Sequence, residues 1–158
     1  MTPDEHLYAL GKLLVNLHAL EMSLRAFLVN RSDARLVHQT YGTDILTLPI
    51  GSVLPESDLT THAYLSDLVK QFNEVAAKKG SSTIDAGVIE VRNTLVHGCV
   101  FGREASFPVH ILKFSKASSG EVKILTSEKM TADWFAQQHR TIVSALQIVR
   151  ENLDSEEA

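Results

Sequence analysis

Apolar residues recur at helical spacing from Leu7 to Leu28, at Leu10, Leu13, Leu14, Leu17, Leu20, Leu24 and Phe27. The pattern predicts a first helix over about 3–31. Thr2 can cap it, Pro3 suits the first helical position, and Glu5 completes a capping box. Residues 32–57 read as a long connection, broken by Tyr41-Gly42, Pro49 and Pro55. A second helix is predicted over about 58–79, with Leu65, Leu68, Val69, Phe72, Val75 and Ala76 inward and Gly80 as its stop. A third spans about 83–97, capped by Ser82 or Thr83, running through Val88, Val91 and Leu95 and ending at Gly98.

The pattern then changes. Phe107 to Phe114 and Val122 to Leu125 are rich in β-formers and flank the turn signal Ser118-Ser119-Gly120, which predicts a hairpin over about 107–127 with Pro108 near an edge. A last helix over about 131–153 carries Phe135, Ile142, Leu146, Val149 and Leu153 on one stripe. An acidic tail, 154–158, frays beyond it. The fold class expected is all-α with a small inserted β-hairpin: an antiparallel four-helix bundle forming a single domain over 1–153.

Composition narrows the function classes. The 158 residues are 44% hydrophobic and 22% charged, as in an ordinary globular domain. Fifteen Lys and Arg stand against nineteen Asp and Glu. Four of the acids, Glu151, Asp154, Glu156 and Glu157, follow Arg150, so residues 1–150 carry fifteen of each sign. Bulk positive charge cannot hold a nucleic acid here, whereas a local basic pocket can. The single cysteine, Cys99, excludes an internal disulfide and suits a reducing compartment. The acidic N-terminus lacks a secretory pattern, and no apolar run approaches a membrane span. A cytoplasmic protein without membrane contact is expected.

Two charges fall on apolar faces. Arg92 lies within the apolar arc of the third helix, and Glu21 lies in the leucine stripe of the first. An ion pair between them is one account; the alternative pairs Glu21 with Arg25 at i, i+4. Asn93 and His97 share the adjoining face of the third helix, flanked by Glu90.

The segment Glu90-Val91-Arg92-Asn93-Thr94-Leu95-Val96-His97-Gly98 resembles the Arg-x(4–6)-His motif of HEPN domains, the higher eukaryote and prokaryote nucleotide-binding superfamily. Asn93 matches the polar residue that follows the arginine in that family. Only Arg92 to His97 carry the resemblance specifically, although the expected helical architecture also fits. The resemblance implies a metal-independent endoribonuclease, of toxin, abortive-infection or stress type, with no cofactor. His97 would serve as acid/base and Arg92 would hold the phosphate, while Asn93 orients the imidazole or bonds the sugar-phosphate. Glu21 and Glu90 would support them. Arg92 and His97 stand about 140° apart on the helical wheel, so a homodimer pairing two motifs in one cleft is expected. The family also suggests an antitoxin partner. Arg103, Lys113, Lys116 and Lys123, around the hairpin, are the candidate RNA contacts.

Blander roles remain open for each residue. His97 can favour the helix C-terminus, Asn93 can be an exposed helical amide, and Arg92 can be structural. The chain would then be a non-catalytic module of the same fold binding RNA, nucleotide or protein, or a structural dimer. No metal is expected: the seven histidines form no His-x3-His pair and no Glu-x-x-His pair. His139 reads as a core histidine or a cleft residue, Cys99 as a small filler, Thr94 as a polar-face residue and Trp134 as a packing anchor.

Overall fold

The computed structural model describes residues 1–31, 48–53, 56, 60–102 and 107–154. Among them are four helices and three strands: α1 (Pro3–Arg31), α2 (Leu65–Lys78), α3 (Gly87–His97), β1 (Cys99–Phe101), β2 (His110–Phe114), β3 (Ile124–Lys129) and α4 (Ala132–Asp154). The chain is mostly helical, with one antiparallel sheet of order β1-β2-β3. It divides into two compact units, Met1–His18 with Asp85–Ala145 and Ala19–Ile84 with Leu146–Ala158. Most of the expected 32–57 connection, Arg103 and the tail beyond Asp154 lie outside the described residues.

The first unit opens with the capping box that the sequence predicts. The Thr2 amide donates to Glu5 Oε2 at 2.8 Å, and the Glu5 amide donates to Thr2 Oγ1 at 3.2 Å. The Thr2 amide bond holds the Glu5 carboxyl below the usual range, with the N-terminal charge and the Thr2 hydroxyl adding to it. The core gathers Leu13 and Leu17 of α1, Val88 and Val91 of α3, Ile111 of β2, Met130, and Phe135 and Ile142 of α4. His6 heads the α1 stripe and is also buried. Its ring meets Phe107 and Phe135 edge-on, at centroid distances of 5.2 and 5.1 Å.

The expected hairpin is one strand short of the observed sheet. Cys99–Phe101 adds a third strand, paired Cys99↔Leu112, Val100↔Ile111 and Phe101↔His110. The turn between β2 and β3 falls where Ser118-Ser119-Gly120 predicts it. Ser118 bridges Glu121, while Ser119 and Gly120 take φ of 54° and 80°, the two positive values of a type I′ turn. Pro108 precedes β2, the central strand, and so interrupts no ladder. One residue, Gly98, separates α3 from β1.

In the second unit, Leu20, Leu24, Phe27 and Leu28 of α1 are buried, as are Leu65, Leu68, Val69, Phe72 and Ala76 of α2. Phe27 and Phe72 pack with their rings tilted by 58° and their centroids 4.7 Å apart. Helix α2 begins at Leu65, seven residues later than its periodicity predicts, because Arg25 claims the preceding backbone. The Arg25 guanidinium is 7% exposed and donates to the carbonyls of Thr61 at 2.7 Å and Ala63 at 3.1 Å. Tyr64 is extended and ends this anchored segment.

Helix α3 also begins late, at Gly87, and neither Ser82 nor Thr83 caps it. The Asn73 side-chain amide brackets Ile84, donating to its carbonyl and accepting from its amide, both at 2.8 Å. A residue held at both polar groups cannot enter a helical turn. Asp85 Oδ1 instead accepts the Gly87 amide at 2.7 Å.

Candidate active site

Helix α3 presents the motif on its last turn and a half. Val88 and Val91 anchor the helix in the core of the first unit, which leaves Arg92 and Asn93 half-buried and His97 exposed. The wheel angle does not keep Arg92 and His97 apart. The arginine side chain is long enough to lie along the helix, and Arg92 Nη1 reaches 3.4 Å from His97 Nε2. The same nitrogen donates to Asn93 Oδ1 at 3.2 Å. One helix therefore brings all three motif residues together.

This contact has a chemical consequence. A guanidinium only donates, so the His97 Nε2 that faces it acts as acceptor. An exposed imidazole beside a half-buried, permanently charged guanidinium suits a phosphodiester whose neighbouring hydroxyl must lose a proton.

The position of the base depends on Gly98. A Cβ there would lie 2.7 Å and 2.8 Å from the Ile111 side chain, and closer still to the Thr94 carbonyl oxygen. Glycine lets the chain leave α3 tight against β2 and pass straight into β1.

Glu90 and Lys113 form a tie between α3 and β2, with Lys113 Nζ at 2.6 Å from Glu90 Oε1. Lys113 lowers the Glu90 carboxyl below its ordinary range, helped by the Thr94 hydroxyl at 3.3 Å. The Lys113 side chain is only 16% exposed, and its charge is committed to Glu90. Thr94 is buried, not on a polar face. Lys116 and Lys123 are exposed at the hairpin.

The Glu21 charge is answered within α1. Arg25 Nη2 donates to Glu21 Oε1 at 2.9 Å and Nε to the same oxygen at 3.3 Å, so the i, i+4 pair is the one formed. Glu21 thus orients the buried Arg25, the alternative that the i, i+4 spacing offers; the hold of Arg25 on the Thr61 and Ala63 carbonyls is what the sequence did not reveal. His139 is half-buried beside Tyr8, Lys12 and Phe135. Burial holds its imidazole below the usual range, and the Lys12 charge adds to the effect. Cys99 is exposed and fills no core space. The Trp134 indole N–H donates to Glu128 Oε2, which fastens the start of α4 to β3. Among the described residues, no three His, Cys, Asp or Glu side chains converge as a metal site requires, and no helix is long and apolar enough to cross a membrane.

No protein-family model, curated protein or solved structure matches the chain.

Proposed function

We propose that the chain is a metal-independent endoribonuclease of HEPN type, built on an antiparallel four-helix bundle and acting as a homodimer. One observation carries the proposal: the Arg92 guanidinium lies within 3.4 Å of the His97 imidazole, with Asn93 attached, at an exposed helix end. The His97 imidazole removes the proton from a ribose 2′-hydroxyl. The 2′-oxygen then bonds to the adjacent phosphorus, and the bond from phosphorus to the 5′-oxygen breaks. A protonated imidazole returns a proton to the leaving oxygen: either the one that has just taken the 2′-hydroxyl proton or, in a dimer, the imidazolium of the second motif. Arg92 bears the negative charge that builds on the non-bridging oxygens. The products are a 2′,3′-cyclic phosphate and a 5′-hydroxyl.

The test is cleavage of a single-stranded RNA with a chelator present. Cleavage should survive the chelator, fall at least about 100-fold in His97→Ala, and leave cyclic-phosphate ends. Loss of activity in chelator, or undiminished cleavage by His97→Ala, overturns the mechanism. A second reading, a non-catalytic binding module of the same fold, draws support from the net charge of −4 and the commitment of Lys113 to Glu90. The scarcity of free cations among the described residues points it to a protein partner, so it predicts neither saturable RNA binding nor turnover.

A further inference from the structure

The two faces of the sheet differ in chemistry. Ile111 and Lys113 of β2 project toward α3, one into the core and the other onto Glu90. Their partners on β3, Glu128 and Thr126, share that face. The opposite face carries Cys99, Phe101, His110, Leu112, Phe114, Ile124, Ser127 and Lys129. No strand residue on it is a carboxylate.

The register aligns three of these residues on a single rung. Phe101 pairs with His110, and His110 pairs with Lys129. An aromatic ring, an imidazole and an ammonium thus lie side by side across all three strands, at spacings of about 4.8 Å. All three are exposed. Phe101 is 49% exposed, and Phe114, two residues beyond Leu112 on the same face, is 38% exposed. Phe107 and Pro108 wall one side of the groove above the rung, whose volume is about 800 Å³.

We infer that this face is a stacking platform for single-stranded nucleic acid that delivers the strand to Arg92 and His97. Aromatic faces on an open sheet take bases without regard to sequence, and cations beside them take the phosphates. Charge complementarity selects this occupant. The face offers the Lys129 ammonium, beside the His110 ring, with no opposing acid on the strands, as a polyanion requires. A second copy docked through the same face would set like charge against like charge across a two-fold axis. The location also fits. Helix α3 lies on the other face, so a bound strand reaches His97 by rounding the β1 edge of the sheet, where Phe101 stands roughly 10 Å along the chain from the helix end. The inference rests on the ribonuclease reading for its direction toward His97, but the platform itself requires only binding.

The experiment uses a fluorescein-labelled oligouridylate with 2′-O-methyl sugars, which cannot undergo attack by a 2′-hydroxyl. Its binding is followed by fluorescence anisotropy across a salt series. Phe101→Ala should weaken binding about 5- to 150-fold, the range that one stacked base provides, while Phe101→Trp should restore it. Lys129→Ala should weaken binding and reduce the salt slope by about one. Thermal melts of each variant separate lost binding from lost folding. Wild-type affinity in Phe101→Ala, or no saturable binding by the wild-type chain, overturns the platform. So does sedimentation showing that Phe101→Ala abolishes self-association in the absence of oligonucleotide, which would assign the face to a second copy. Parallel cleavage of unmodified RNA keeps the two proposals apart. Binding through Phe101 without cleavage rejects the ribonuclease and retains the platform. Cleavage with unchanged KM in Phe101→Ala does the reverse.

Discussion

Replacing Gly98 with alanine tests whether the motif is held by a close approach of helix and sheet. The backbone torsions at Gly98, φ −75° and ψ 145°, are open to any residue. On conformational grounds alone, Gly98→Ala should stabilise the protein by about 0.4–1 kcal/mol through the unfolded chain. The packing predicts the opposite sign. The new methyl would sit 2.7 and 2.8 Å from two carbons of Ile111, where an ordinary carbon contact is about 3.5–4.0 Å. Ile111 is 1% exposed and has no outward path. The other obstacle, the Thr94 carbonyl, accepts the Gly98 amide at 2.9 Å and cannot retreat without weakening that bond. Overpacking of this kind costs about 1–3 kcal/mol, and the strained hydrogen bond adds about 1 kcal/mol. The net loss is about 1–3 kcal/mol, or a fall in Tm of about 3–10 °C for a domain of this size. Circular-dichroism melts and urea midpoints of wild type, Gly98→Ala and Gly11→Ala provide the assay. Gly11 lies within α1 with nothing near its would-be Cβ, so Gly11→Ala should raise stability by about 0.5–1 kcal/mol. A Gly98→Ala protein as stable as wild type, or more so, would refute the close approach and with it the physical reason for glycine after His97.

Other perturbations follow from the same contacts. Arg25→Ala should destabilise by about 2–4 kcal/mol, since it strips the Thr61 and Ala63 carbonyls of their donor, whereas Glu21→Gln should cost under about 1 kcal/mol; urea denaturation separates the two. Asn73→Ala should cost about 2–3 kcal/mol by freeing both polar groups of Ile84, and hydrogen exchange at the Ile84 amide should accelerate. Burial lowers the His6 pKa, so below the ordinary histidine value the unfolded chain binds more protons than the folded one. The contribution of His6 is therefore present above about pH 6.5 and lost as pH falls through the depressed folded value. Melts at about pH 7.5 and about pH 5.5 should show a drop in Tm that shrinks in His6→Phe; an equal drop in both proteins would remove His6 as its source.

Long-period signals were the most legible in the chain. The α1 stripe and its Thr2–Glu5 capping box give the helix its observed bounds. Ser118-Ser119-Gly120 locates the turn, because only a few residue types tolerate paired positive φ values. Features made by tertiary contact were not legible. The late starts of α2 and α3 depend on Arg25 and Asn73, whose backbone partners lie far along the chain or outside any helical period. Three residues of β1 are too few for alternation to register, and the strand exists because β2 lies alongside. At the candidate site, sequence spacing brought Arg92, Asn93 and His97 together on paper, but wheel geometry treats side chains as short spokes and so overstated the gap that arginine spans. The role of Lys113 depends on a cross-element partner, Glu90, that charge counting cannot assign.

The junction at Gly98 leaves the chain no slack. With a single residue between the end of α3 and the start of β1, and the Glu90–Lys113 tie bracing the two elements a few residues away, helix and sheet are geared like two arms of one bracket. A hinge motion that swung the imidazole would have to carry Phe101 with it. The spacing between the two is a ruler fixed by the covalent chain, and under the proposed function it would set the distance between the stacked base and the cut.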